Sequence, residues 1–217
     1  MLTQQADTQA SLTPADALQL LVDGNERFKA NRRADRNLLE QVEKTSGGQW
    51  PFAAVLGCID SRASTELVFD QGIGDVFSIR VAGNFVNDDI LGCMEFACKV
   101  AGSKLVVVVG HTHCGAIKGA VDSVRLGNLT HLIEKLEPAA KSVEDAGGAG
   151  ERSSANPDFV QRTAESNVHR TIAEIRQRSP LLAEMEEKQE IGIVGAMYDV
   201  QTGGVQFYAS DSPALSK

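Results

Sequence analysis

The sequence predicts an α/β fold: a mainly parallel central β-sheet flanked by helices, with an N-terminal helical arm and a C-terminal antiparallel edge hairpin. Three features predict it. The runs 52–56, 75–81 and 104–110 are apolar without alternation, as expected of strands buried on both faces. A helical pattern over 88–101 lies between the second and third runs, and strand, helix, strand implies parallel pairing with right-handed crossovers. A strand over 190–200, the turn Gln201-Thr202-Gly203-Gly204 and a returning run over 205–209 form the hairpin.

Taken in order, the first 50 residues read as helical and peripheral. Thr13-Pro14-Ala15-Asp16 has a capping hydroxyl, a proline suited to the first turn and an acid at the positive helix end. Leu18, Leu21, Val22 and Phe28 then share a helical stripe. Arg32, Arg33 and Arg36 read as a solvated basic face. Within 88–101 the stripe is Ile90, Leu91, Met94, Ala97, Cys98 and Ala101, and both Cys93 and Cys98 are expected to pack in the core. Helices are predicted over 116–124, 129–143, 158–178 and 180–188. Ala146-Gly147-Gly148-Ala149-Gly150 is expected to be a mobile loop. No repeat and no domain boundary is visible, so 1–217 reads as a single domain, with an arm over about 1–50 and an α/β core over about 52–210.

Composition limits the partners. The chain has 217 residues, 42% hydrophobic and 23% charged, with a net charge of −8. That acidity argues against nucleic acid or an anionic membrane surface as a partner. No apolar run approaches the ~18–20 residues of a membrane span. Residues 1–16 lack the basic start and apolar stretch of a secretory signal, so a cytoplasmic protein is expected. In that setting the four cysteines point to metal binding or catalysis rather than disulfides.

The chemistry sits at the strand ends. Cys58-Ile59-Asp60-Ser61-Arg62 follows the first strand, and His111-Thr112-His113-Cys114-Gly115 follows the third. Ligands of open α/β sheets bind outside the carboxyl ends of the strands, so neighbouring parallel strands bring both motifs together. Alone, a cysteine at a strand end is usually a small buried hydrophobe. Together, two cysteines and a histidine with His-x-x-Cys spacing suit a zinc ion, whose catalytic sites keep a fourth position open. Asp60 could close such a site as fourth ligand or orient a bound water, and Arg62 could grip its carboxylate and keep it off the metal. His113 either points away or lines the entrance. His131 and His169 are expected to be exposed.

These motifs resemble those of the β-class carbonic anhydrases. Gly72-Ile73-Gly74-Asp75-Val76-Phe77, Arg80-Val81-Ala82-Gly83-Asn84 and Ile193-Val194-Gly195-Ala196-Met197-Tyr198-Asp199 reinforce the likeness, which runs over roughly 15–208. The resemblance implies one zinc per chain held by Cys58, His111 and Cys114. Asp60 and Arg62 would be the catalytic dyad, with Asp60 joining the metal in a closed state. It further implies that Gln49 reaches an active site across a dimer interface, that Phe77 and Ala82 form an apolar wall, and that the Gly115 N–H donates to substrate. Phe96 stands where the family has a pocket tyrosine, so that hydroxyl is missing. Val55 stands where some members have the tryptophan of an inhibitory bicarbonate site, so such regulation is not expected. The implied reaction is reversible hydration of carbon dioxide to bicarbonate and a proton by zinc-bound hydroxide, in a homodimer or dimer of dimers. Two alternatives are a carbon disulfide or carbonyl sulfide hydrolase on the same site and a non-catalytic zinc-stabilised binding or sensing module. A redox protein using Cys58 and Cys114 is disfavoured, because it leaves His111 unexplained.

Overall fold

A computed structural model describes residues 3–209 and 212–215. Strands β1 (Ala53–Gly57), β2 (Val76–Arg80), β3 (Leu105–His111), β4 (Gly192–Tyr198) and β5 (Val205–Phe207) form one sheet in the order β2-β1-β3-β4-β5. β1 pairs in parallel with β2 and β3, and β3 with β4. β5 returns antiparallel on β4, so the predicted fold class holds.

Alternation along the strands divides the core into two layers. Leu56, Val106, Val108 and Ile193 face one apolar cluster, and Ala53, Val55, Leu105, Val107, Val109 and Val194 face the other. The first is covered by α5 (Asp88–Glu95), α6 (Gly115–Val121), α7 (Leu129–Ala146), α8 (Pro157–Arg178) and α9 (Pro180–Glu187). The second is covered by α2 (Pro14–Lys29) and α4 (Thr65–Val68). α2 begins as predicted, with Thr13 and Asp16 capping reciprocally around Pro14. Two further short helices, α1 (Ala6–Ser11) and α3 (Leu38–Thr45), complete the arm. Buried Gln9 ties it down by donating to the carbonyls of Pro51 at 2.7 Å and Ala101 at 2.8 Å.

Five expectations are corrected. β2 is an edge strand and only half-buried, so its apolar run does not mark burial on both faces. The helix over 88–101 changes winding at Phe96–Val100, where the Ala101 N–H reaches back to the Phe96 carbonyl in a π-helical turn. Cys98 is buried but Cys93 is exposed, because positions five apart stand about 140° apart around a helix. Ala149 is buried at 5% exposure and its carbonyl accepts from Asn156 Nδ2 at 2.8 Å, so the centre of the glycine loop is anchored. The fifth correction is Arg36, whose side chain is only 6% exposed and lies 2.6 Å from Asp70. Among the described residues no helix is long and apolar enough to cross a membrane.

Asp70 is the arm's main tether. Burial pushes its carboxyl up, but the Arg27 guanidinium, the Ala34 N–H and Arg36 outweigh burial and hold it below the ordinary range. A carboxylate whose folded pKa is depressed stabilises above the unfolded value of about 3.9, and that contribution is lost as pH falls through the folded value. Asp70→Ala removes the carboxylate that the buried Arg36 and the half-buried Arg27 both face. It is expected to cost about 3 kcal/mol, measured by urea denaturation at pH 7, with the difference shrinking as pH falls through the depressed folded value.

Candidate metal centre

The chain steps from β1 outward to β2 and then back past β1 to β3. That reversal opens a crevice at the carboxyl ends of β1 and β3, where ligands bind in open α/β sheets. Cys58 is the first residue after β1, His111 the last of β3, and Cys114 the residue immediately before α6. The turn between the last two needs a left-handed residue, and His113 supplies it with φ 57°. Its ring is exposed and meets Gln201 Nε2 at 3.3 Å, on the outside of the turn. His131 and His169 are exposed, as expected.

Cys58, His111 and Cys114 are buried, and their ligand atoms lie within 4.8 Å of one another. The two sulfurs are 4.0 Å apart. His111 Nδ1 donates to the Thr112 carbonyl at 2.9 Å, which sets the tautomer and leaves the Nε2 lone pair facing the sulfurs. Nε2 is buried and has no hydrogen-bond partner among the described residues. An orphaned buried nitrogen beside two thiols is costly without a cation, and the donor set is that of zinc. The residues fit such an ion. The Cys114 thiol beside it holds the Cys58 thiol below its ordinary range, with the His111 ring and the Gly83 N–H also lowering it against burial. Cys58, and then burial, push Cys114 up.

Asp60 lies at the rim. Its Oδ1 accepts from the Arg62 backbone N–H and Nε, each at 2.9 Å, and its Oδ2 from Nη2 at 2.8 Å. The Arg62 guanidinium holds the carboxyl well below the usual carboxylate range. Oδ2 stands 4.0 Å from His111 Nε2, beside the cluster but in the grip of arginine. Arg80, which the sequence reading left without a role, reaches from the end of β2 and donates to the carbonyls of Cys58 at 2.9 Å and Asp60 at 2.7 Å. An arginine closing an otherwise apolar strand was the available signal.

The candidate substrate residues fall into separate places. Ala82 and Gly115 line a cleft of about 490 Å³ with Cys58, Asp60, Lys118 and Ile133. Phe77 and Phe96 lie instead in a groove of about 700 Å³ beside Ile79 and Cys93, their rings edge to face at 6.0 Å. Phe96 is 49% exposed. Gln49 is exposed in the segment before β1 and lines neither. Within one chain, therefore, Phe77, Phe96 and Gln49 do not line the cleft of the cysteine–histidine cluster.

Comparison with known proteins bears on these observations. The carbonic anhydrase family profile matches residues 53–205. Carbonic anhydrase 2 of Mycobacterium tuberculosis is 35% identical over 195 residues, spanning 88% of this chain and 90% of that protein. The crystal structure of the β-carbonic anhydrase CafA of Aspergillus fumigatus superposes with a TM-score of 0.70 at 29% identity, covering 82% of this chain and 85% of that one. A chain from two tetrameric β-carbonic anhydrases of Sordaria macrospora does so with a TM-score of 0.67 at 25% identity, covering 76% and 84%.

The position before His111 allows no side chain. A Cβ on Gly110 would come within 2.7 Å of both Met197 Sδ and Val168 Cγ2, and both residues are buried. Gly110→Ala is expected to cost about 1–3 kcal/mol by overpacking. Chemical denaturation of the purified variant measures it, and an unchanged midpoint would contradict this packing.

Proposed function

The chain belongs to the β-class carbonic anhydrase family, and on that premise we propose that it catalyses reversible hydration of carbon dioxide to bicarbonate and a proton. The single observation that carries this reading is the buried triad of Cys58, His111 and Cys114 with its orphaned imidazole nitrogen. We infer that these three residues hold one zinc ion per chain. Such an ion is a Lewis acid that makes hydroxide available near neutral pH.

The rest is the work of the chain's own groups. Two thiolates cancel the formal charge of a divalent ion, which suits an uncharged substrate. Asp60, kept ionised by Arg62, can accept a hydrogen bond from the attacking oxygen and aim its lone pair. It accepts only from groups that carry a proton, so it favours hydroxide over other anions. Ala82 contributes apolar wall and Gly115 lines the same cleft, and we assign its N–H to donate to a developing bicarbonate oxygen. The free cysteines fit a reducing compartment, the cytoplasm. We read 1–217 as a single domain.

The apolar edge of β2 supports a homodimer. Phe77, Ile79 and exposed Phe96 leave an unpaired strand edge beside an apolar groove, and such edges are normally covered. We infer that Phe77, Phe96 and Gln49 serve the partner subunit's cleft, in a dimer or dimer of dimers.

Stopped-flow hydration assays test the reaction, with carbon disulfide as a competing substrate. The rate is expected to rise with pH between about 7 and 9, the values for zinc-acidified water in a histidine site and in bulk solution. Arg62→Ala frees Asp60 from its aim and is expected to retain zinc while losing activity about 100-fold. Near-normal turnover in that variant would remove Asp60 and Arg62 from the mechanism. Sedimentation velocity at assay concentration is expected to give at least two chains per particle, and an active monomer would contradict the shared cleft.

A further inference from the structure

Helix α8 carries three polar side chains on its buried face; Thr163 bonds back to the Phe159 carbonyl of its own helix, while Asn167 and Thr171, each 3% exposed, reach outside it. They stand one turn apart and have a common target. Asn167 Nδ2 donates to the Gly83 carbonyl at 2.8 Å, and Thr171 Oγ1 donates to the Asn84 carbonyl at 3.3 Å. Burying an amide and a hydroxyl inside a helix interface is costly unless each finds a partner. Here both are committed to two consecutive peptides of the segment after β2.

Those two peptides hold an unusual conformation. Gly83 has φ 79° and Asn84 φ 42°, two successive residues in the left-handed region, which an L-residue such as asparagine enters at a cost. The conformation turns the Gly83 N–H toward Cys58, where it donates to Sγ at 3.4 Å in a buried contact. Gly83 has no room for a side chain, since a Cβ there would meet Leu136 Cδ1 at 2.5 Å. The segment is thus pinned from α8 by two hydrogen bonds and presses one backbone donor onto one sulfur.

We propose that Asn167 and Thr171 are positioning residues of the metal centre, holding Gly83 so that its N–H withdraws electron density from the Cys58 thiolate. The inference rests on the zinc reading above. A thiolate that accepts a hydrogen bond gives less charge to its ion, so the ion stays a stronger Lewis acid despite two sulfur ligands. Outer partners of this kind orient ligands and tune metals elsewhere. The α8 pair does so at one remove, through the backbone.

The experiment uses the full chain loaded with cobalt(II), whose thiolate-to-metal charge-transfer band reports the electron density on sulfur. Asn167→Ala and the near-isosteric Thr171→Val are compared with Ile175→Val, a core substitution on the same helix that touches neither carbonyl. Both test variants are expected to move the band to lower energy and to weaken zinc binding about tenfold in chelator competition, with Ile175→Val unchanged. Thr171→Val carries the test if Asn167→Ala does not fold. A band at the same energy in the test variants and the unsubstituted chain overturns the inference and leaves the zinc reading intact. An equal shift in Ile175→Val also overturns it, because destabilisation alone then moves the band. Absence of any thiolate band from the unsubstituted chain overturns both readings.

Discussion

The parallel pairing of β1 with β3 at the centre of the sheet is the constraint on which the site depends. The register aligns Leu56 with Val108, so the chain leaves the two strands at neighbouring points. Strands this close, about 4.8 Å apart, put Cys58 and His111 within ligand distance without any long excursion. The left-handed turn at His113 then returns Cys114 to the same spot. Every residue of β1 and β3 is buried, so the site opens from the driest part of the molecule. Two thiols and an unpartnered imidazole are a poor use of that place for stability alone. A cation changes the sign of the same arrangement, since it satisfies the imidazole and both sulfurs at once.

Backbone contacts hold this centre more than side chains do. Arg80 fixes the carbonyls on either side of Ile59, and the Gly83 N–H touches the sulfur. Asp60 is different, because its carboxylate has two possible claimants. Arg62 offers three charge-assisted or amide hydrogen bonds at the rim, and a cation in the cluster offers a shorter-range attraction. In the structure the arginine holds it. Arg62 is half exposed, at 51%, so water screens its hold, and the balance between the two positions is open to change without disturbing the fold.

Much of this was legible in the sequence because burial and periodicity are local signals. The run 104–110 and the turn at 201–204 admit few other structures, and the cysteine and histidine spacing marks a strand-end site. The remainder depends on distant partners. Cys93 and Cys98 look alike in sequence, and only the winding of the helix separates an exposed thiol from a buried one, which burial pushes up to about 12. Arg36 resembles its neighbours Arg32 and Arg33 until Asp70 is placed beside it. Ala149 sits among glycines, yet its methyl enters the core. The separation of Phe77 and Phe96 from Ala82 and Gly115 was invisible, because a motif names the residues of a site without saying which of them share one cleft; only for Gln49 did the resemblance imply a place across an interface.

Zinc K-edge X-ray absorption on the purified full-length chain tests the central claim most directly, that Cys58, His111 and Cys114 together hold the metal. The account expects two sulfur atoms at about 2.3 Å and two nitrogen or oxygen atoms at about 2.0–2.1 Å, with the multiple-scattering pattern of one imidazole. A shell of four sulfurs, or one of light atoms alone, would contradict it.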